Sequence, residues 1–118
     1  ELGENDRSST GYLEAEAFWP VVQQFFARPD ESIQGWETAR HAQQRIVAAV
    51  NRVAGAQADD IAIVSHGGVA RLLTAHLQGV AIGQEDRPGN PNGGCFLVFD
   101  LAQPGRLRPW ADIEAWPA

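Results

Sequence analysis

Apolar residues recur at helical spacing in three segments of the chain. The first segment predicts a helix over about Ala15–Ala27, in which Pro20 is tolerated if it lies in the first turn. The second predicts a helix that begins near Gly35, carries an apolar stripe along one side and ends at Gly55. The third covers residues 69–79, with a glycine as its stop. The spacing therefore predicts three amphipathic helices.

Two short apolar runs have the pattern of strands. Residues 61–64 (IAIV) form a continuous run rich in β-branched side chains, which predicts a central strand that is covered on both faces. Residues 95–101 (CFLVFDL) predict a second strand, residues 107–110 a short edge strand, and residues 79–94 a long loop rich in glycine and proline. Two good strands are few for an α/β sheet, so further strands are expected upstream of Glu1.

The composition is typical of one soluble globular domain. The chain has 118 residues, of which 44% are hydrophobic and 20% are charged, so residues 1–118 are interpreted as a single domain. No apolar run is long enough to cross a bilayer, and no membrane partner is expected. The formal net charge of -6 argues against a sequence-independent grip on nucleic acid.

The N-terminal residues and the single cysteine indicate the cellular compartment. Residues 1–7 are polar and charged, unlike the apolar core of a secretory signal. The single cysteine, Cys95, cannot form an internal disulfide and is expected to be a reduced, buried thiol. These features predict a cytoplasmic protein. The chain contains no methionine, so we expect a segment upstream of Glu1.

Residues 65–68 (SHGG) join the first predicted strand to the third predicted helix. In open parallel sheets, ligands bind at the carboxyl ends of strands, where the next helix presents unpaired N–H groups. Gly67 and Gly68 lack side chains that would keep a phosphate from the backbone, and they can adopt conformations closed to other residues. His66 lies at the same point. The pattern predicts a phosphate site, with a hydrogen-bonded histidine that binds no ligand as the alternative.

Ser65 raises the different possibility of an acyl-transfer nucleophile. That motif needs a glycine two residues before the serine, where this chain has Ile63. Neighbouring residues of a strand also point to opposite faces, so Ser65 and His66 make a poor nucleophile and base pair. The sequence argues against a serine hydrolase.

Three segments resemble one family. Residues 61–73 (IAIVSHGGVARLL) resemble the second histidine motif of the histidine phosphatase superfamily, the phosphoglycerate-mutase-like enzymes. Residues 2–8 (LGENDRS) look like the segment that holds the acidic proton donor of this family. Residues 35–37 (GWE), followed by residues 44–46 (QRI), resemble the entry into its long helix. The resemblance extends over nearly the whole chain.

The resemblance implies an α/β fold with a three-layer phosphoglycerate-mutase-like sheet and flanking helices. It also implies phosphoryl transfer through a phosphohistidine on a small phosphorylated substrate, without metal or cofactor. His66 matches the second histidine and Glu4 the acid, while Gly67, Gly68 and Arg7 are the expected phosphate or substrate contacts. The alternatives are an exposed acid for Glu4 and a solvated arginine beside Asp6 for Arg7.

The chain departs from the family in one respect. The nucleophilic histidine of the family lies in an Arg-His-Gly motif on the first strand, and the chain has no such motif. His41 and His76 lie inside predicted helices and cannot replace it. The nucleophile is therefore expected upstream, with the 118 residues inactive alone and a homodimer possible through unpaired strands. The alternative function is a non-catalytic module that binds phosphate or a partner.

Three other residues are candidates for contact with the pocket or its ligand. Trp36 and Glu37 precede the second helix and either line the pocket or, in the case of the tryptophan, belong to the core. Arg71 lies in the first turns of the third helix, where it either faces the ligand or extends over the surface.

Overall fold

The computed structural model describes residues 1–56, 59–89, 93–103 and 106–116. The helices are α1 (Ala15–Ala27), α2 (Ala39–Gly55) and α3 (Gly67–Gln78). They are followed by the strands β1 (Cys95–Val98) and β2 (Arg108–Asp112) and by a 3-10 turn, Ile113–Ala115. The described part of the chain thus combines helices with a small sheet, which is compatible with the α/β class.

Helix α1 has the predicted bounds, but its proline lies deeper than expected. Pro20 is the sixth residue of the helix, beyond the first turn. Because proline has no N–H, the carbonyl of Glu16 loses its helical donor. Glu16 and Pro20 are both exposed, so water can reach this carbonyl. The expectation of a first-turn proline is wrong, and exposure explains why the helix tolerates it.

Helix α2 begins four residues later than predicted. Gln34 and Gly35 have φ angles of 55° and 78°, which are incompatible with a right-handed helix. Thr38 instead caps the helix, because its side chain accepts a hydrogen bond from the His41 N–H at 3.1 Å. Gly55 ends the helix as expected.

Helix α3 begins two residues earlier than predicted, and its C-terminal end confirms the prediction. It begins at Gly67 and ends at Gln78, and Gly79 follows in the left-handed conformation with φ of 69°. The N–H of Gly79 bonds to the carbonyls of Ala75 and His76, as expected for a glycine that terminates a helix.

The predicted central strand over residues 61–64 is wrong for this structure. These residues belong to no strand, and Ile61 and Val64 are 40% and 93% exposed. A strand requires a neighbouring strand for its N–H and C=O groups. In the described residues only β1 and β2 pair with each other, so nothing completes a ladder here. Only Ile63 packs against the core.

The two strands form an antiparallel pair. Cys95 lies opposite Asp112 and Val98 opposite Arg108, with an irregularity between them. Both strands were predicted, although β1 ends at Val98 rather than Leu101 and β2 extends to Asp112. The described residues of the 79–94 segment contain no helix or strand, as predicted. Cys95 is only half-buried, so the expectation of a buried thiol is wrong.

The core lies between the three helices. Helices α2 and α3 pack together through small and branched residues, and α1 adds aromatic rings. The fully buried large side chains of the core include Trp36, Ile46, Leu72, Val50 and Val69. Burying a side chain of this kind contributes about 1.5–3 kcal/mol. Gln43 also ties α2 to α3, because its Nε2 donates to the Leu72 carbonyl at 2.9 Å. No helix among the described residues is long and apolar enough to cross a membrane.

Candidate active site

The site lies at the N-terminus of α3. His66 is the residue that precedes the helix, in an extended conformation with φ of -116° and ψ of 155°. Its carbonyl accepts the Ala70 N–H at 3.0 Å, while its side chain makes no capping bond and is exposed. The imidazole therefore faces solvent beside the first turn of the helix, where unpaired N–H groups attract anions.

Glu4 occupies part of that anion site. Its Oε2 accepts the Gly68 N–H at 2.9 Å, and its Oε1 accepts the Val69 N–H at 2.9 Å. These partners are 64 and 65 residues away in the chain. Glu4 is half-buried rather than a fully exposed terminal acid. The structure thus brings the predicted proton donor into direct contact with the predicted phosphate turn.

The two glycines of this turn differ in what surrounds them. A Cβ on Gly68 would lie 2.5 Å from Oε1 of Glu4, whereas a Cβ on Gly67 would meet nothing within 4 Å. Neither glycine has a positive φ. The expectation that they use conformations closed to other residues is therefore wrong. Gly68 instead makes room for the Glu4 carboxylate.

Arg7 lies on the other side of Glu4. Its Nη2 is 3.8 Å from Oε2 of Glu4, and its Nε donates to Oδ1 of Asn5 at 3.0 Å. The guanidinium lies 4.9 Å from the ring centroids of both Phe18 and Trp36, a cation–π arrangement. Arg7 is therefore held between an acid and two aromatic rings, not solvated beside Asp6.

Asn5 leaves one polar group unmatched at this site. The residue is 5% exposed, and its Nδ2 is buried without a partner in the part of the chain that the structure describes. Because the Asn5 Oδ1 already accepts from Arg7, the amide orientation is defined. A buried donor without an acceptor is costly.

An open cleft of about 430 Å³ begins at Arg7. Its lining is largely aromatic and apolar, and includes Arg7, Tyr12, Leu13, Phe18, Trp19 and Trp36. Tyr12 and Trp19 are 86% and 52% exposed, while Trp36 is only 2% exposed. Trp36 was expected either to line the pocket or to belong to the core, and it does both. Its Nε1 donates to Oγ1 of Thr10 at 2.9 Å.

Arg45 and Glu37 join the Glu4 segment to α2. The Nε and Nη2 groups of Arg45 donate to Oε2 and Oε1 of Glu37 at 3.1 and 2.9 Å. The same guanidinium donates to three backbone carbonyls, those of Glu1, Gly3 and Glu4. Sequence reasoning gave Arg45 no role at the site. The only signal was the resemblance of residues 35–37 and 44–46 to the family.

Hydrogen bonding dominates the electrostatics of Glu37. Burial raises the pKa of this carboxyl, but hydrogen bonds from Arg45, His41 and the Asp6 N–H together hold its pKa below the ordinary value of 4.5. The hydrogen bond to Glu37 raises the pKa of Arg45 in turn, against the effect of its own burial. The pair is therefore charged on both sides.

The remaining candidates lie away from this turn. Arg71 neither extends over the surface nor faces the ligand site, because it pairs with the fully buried Glu85 at 2.8 Å. Burial lowers the pKa of Arg71, and the bond to Glu85 opposes that shift. His41 and His76 lie within helices, as predicted. Among the described residues, no three His, Cys, Asp or Glu side chains come together as metal ligands; the absence of a metal stays a prediction.

Comparison with known proteins identifies the family. The model of the histidine phosphatase superfamily (branch 1) matches residues 8–107. Because this match covers most of the chain, the chain belongs to that superfamily, which includes phosphatases and mutases. The resemblance found in the sequence is thereby confirmed. His66, Gly67 and Gly68 lie inside the matched region, whereas Glu4 and Arg7 precede it. No curated protein matches the chain.

Proposed function

We propose that the chain forms part of a metal-independent phosphatase or phosphoglycerate-mutase-like enzyme that acts on a small phosphomonoester through a phosphohistidine. The observation that supports this most is the contact of the Glu4 carboxylate with the N–H groups of Gly68 and Val69. It puts the carboxylate that this proposal uses as the proton donor against the turn that His66 begins. Membership of the superfamily supports the reaction class.

The proposed reaction has two steps. In the first, a histidine nitrogen attacks phosphorus, the bond to the leaving oxygen breaks, and Glu4 gives that oxygen its proton. In the second, water attacks the phosphorus of the phosphohistidine, the P–N bond breaks to return the free histidine and release phosphate, and the Glu4 carboxylate accepts the proton of the water. Throughout, His66 beside the start of α3 stabilises the charge on the transferring oxygens, as a preorganised donor does. General acid catalysis of this kind contributes about 10²–10⁴-fold.

The nucleophile in this proposal comes from a segment upstream of Glu1, because the chain contains no Arg-His-Gly motif. The same segment adds the strands of a three-layer sheet, in which residues 61–64 become a paired strand. Two observations support an additional segment that packs here. Ile61 and Val64 are exposed apolar residues, and the buried Nδ2 of Asn5 lacks an acceptor among the described residues.

We place the protein in the cytoplasm, on the basis of its single cysteine.

The cleft beside Arg7 suits the organic part of the substrate. In this proposal His66 holds the phosphoryl oxygens, the ester oxygen faces Glu4, and Arg7 lies between Glu4 and the cleft. Aromatic rings at its mouth favour an apolar or aromatic alcohol over a highly polar one.

The test is release of p-nitrophenol from p-nitrophenyl phosphate in EDTA by the full-length protein, with its upstream segment. The wild type is expected to be active, and His66→Ala to lose most of the activity with little change in the free energy of unfolding, because His66 is exposed. His76→Ala, which removes an exposed histidine in the last turn of α3, is the matched control. Activity that depends on added metal, or that survives in His66→Ala, would overturn the proposal.

A further inference from the structure

Arg45 makes five hydrogen bonds to described residues, and three of them hold the segment that carries Glu4. Its Nη1 donates to the carbonyl of Glu1 at 2.8 Å and to that of Gly3 at 3.0 Å. Its Nη2 donates to the carbonyl of Glu4 itself at 3.2 Å. A planar guanidinium presents several donors in fixed directions, which suits it to collect carbonyls from one bend of the backbone.

Glu37 fixes the other side of this guanidinium. Its side chain is 10% exposed and receives two hydrogen bonds from Arg45. It also accepts the Asp6 N–H at 3.2 Å, and its own N–H donates to the Asp6 carbonyl at 2.9 Å. Arg45 and Glu37 therefore bind the backbone on both sides of Glu4.

The segment that carries Glu4 has no regular secondary structure of its own. Residues 1–14 contain no helix or strand, so no ladder of backbone bonds determines where the Glu4 side chain points. Ser65 adds one bond, from its hydroxyl to the Leu2 carbonyl. Among the described residues, Arg45 of α2 thus makes three of the side-chain hydrogen bonds to the carbonyls of residues 1–4, against one from Ser65.

We infer that Arg45, supported by Glu37, is a positioning residue that holds Glu4 against the start of α3. This inference rests on the proposed function, in which Glu4 is the proton donor. Arg45 itself donates only to Glu37 and to backbone carbonyls among the described residues, so its effect on the reaction passes through Glu4. A displacement of about 1 Å in a reacting group can cost roughly 100-fold in rate.

The variant Arg45→Lys tests this in the full-length protein. It keeps the positive charge beside Glu37 but removes the fork that reaches three carbonyls. Arg52→Lys is the matched control, because Arg52 lies on the same helix and, in the described residues, its guanidinium pairs with the exposed side chain of Glu1 rather than with the backbone around Glu4. Amide hydrogen exchange at Gly68 and Val69 reports whether the Glu4 carboxylate stays in place. Arg45→Lys is expected to speed this exchange roughly fivefold, the size of effect that a lost cap produces, and Arg52→Lys to leave it unchanged.

A double-mutant cycle tests the consequence for the reaction. Arg45→Lys is expected to lower kcat/KM for an alkyl phosphate roughly 10- to 100-fold in the wild-type background. It should have little further effect on Glu4→Gln, because both changes then act on the same group. Unchanged exchange at Gly68 and Val69, or additive losses in the cycle, would overturn the positioning role. If the wild type shows no turnover, the proposed function fails, and the exchange measurement still decides the positioning role.

Discussion

Glu4 and Gly68 fit together so closely that a methyl group on the glycine would lie 2.5 Å from Oε1 of the glutamate. The Gly68 N–H donates to Oε2 of the same carboxylate at 2.9 Å. A residue near the beginning of the chain is thus matched to the first turn of α3 both in shape and in hydrogen bonding. The two candidate parts of the site, the acid and the phosphate turn, are one structural unit.

The change Gly68→Ala should separate these two parts. The new methyl group displaces the Glu4 side chain, which can swing aside because its carboxylate is the free end of a flexible chain. We expect a loss of about 1 kcal/mol in the free energy of unfolding from the lost cap, partly offset by the better helix propensity of alanine. We also expect activity to fall at least about 10-fold, because the change moves Glu4, the proposed proton donor.

Gly67→Ala is the control for stability, since its methyl group meets nothing within 4 Å. It should leave the free energy of unfolding unchanged or raise it by about 0.5–1 kcal/mol. Urea denaturation measures both variants. Equal stability and activity in Gly68→Ala and the wild type would show that Glu4 does not need this position.

Acid should destabilise the protein partly through Glu37. Because the folded pKa of Glu37 lies below its ordinary value of 4.5, the unfolded state binds more protons as the pH falls through this region. The stability that Glu37 contributes is complete above about pH 4.5 and is lost as the pH falls through its folded pKa. Glu37→Gln should therefore lower stability at pH 7 and flatten the acid dependence. Urea denaturation from pH 7 to pH 3 checks this, with the exposed Glu31→Gln as control; parallel curves for Glu37→Gln and the wild type would contradict it.

Arg71 and Glu85 should behave as a buried ion pair. Their side chains are 17% and 0% exposed, and the guanidinium lies 3.6 Å from the centroid of the Phe26 ring. Arg71→Met leaves a buried carboxylate without its cation, and should cost about 3–5 kcal/mol. The double change Arg71→Met with Glu85→Leu should cost less than Arg71→Met alone, although it leaves the Gly83 N–H without its acceptor. Thermal unfolding of the wild type and these two variants decides this; a cost below about 1 kcal/mol for Arg71→Met would refute a buried pair.

The aromatic cleft predicts a preference among substrates. Trp19 is half-exposed at its mouth, so Trp19→Ala should weaken binding of a phenyl phosphate by about 1 kcal/mol, or roughly fivefold in KM. The KM for glycerol phosphate should change little. Trp116→Ala is the control, because this ring is similarly exposed but packs on Phe96, 5.2 Å away. An equal change for both substrates would argue against the cleft as the site of the organic group.

The sequence predicted the elements whose stability comes from local pattern. Helix α3 and its Gly79 stop follow from apolar spacing and from one residue that tolerates positive φ. The site turn was predictable for the same reason, since a strand-like run and a histidine stand directly before the helix, which two glycines begin. The start of α2 was not, because it depends on the φ angles of Gln34 and Gly35.

Contacts between distant residues could not be predicted from spacing. The bond from the Val69 N–H to Glu4 joins residues 65 positions apart, and the bonds of Arg45 to the Glu1 and Gly3 carbonyls join residues 44 and 42 apart. Such pairs depend on how the packed helices place their surfaces. The strand prediction for residues 61–64 was wrong for a related reason, because a strand forms only where a second strand is available to bond with it.

The most direct test of the account is the leaving-group dependence of Glu4→Gln. The variant keeps one oxygen to accept a helix N–H but cannot give a proton to a leaving oxygen. Measured as kcat/KM in the full-length protein, the loss should be about 10²–10⁴-fold for an alkyl phosphate, whose leaving oxygen needs the proton. It should be much smaller for p-nitrophenyl phosphate, whose leaving group departs readily as the anion. Equal losses for both substrates would contradict the assignment of Glu4 as the proton donor.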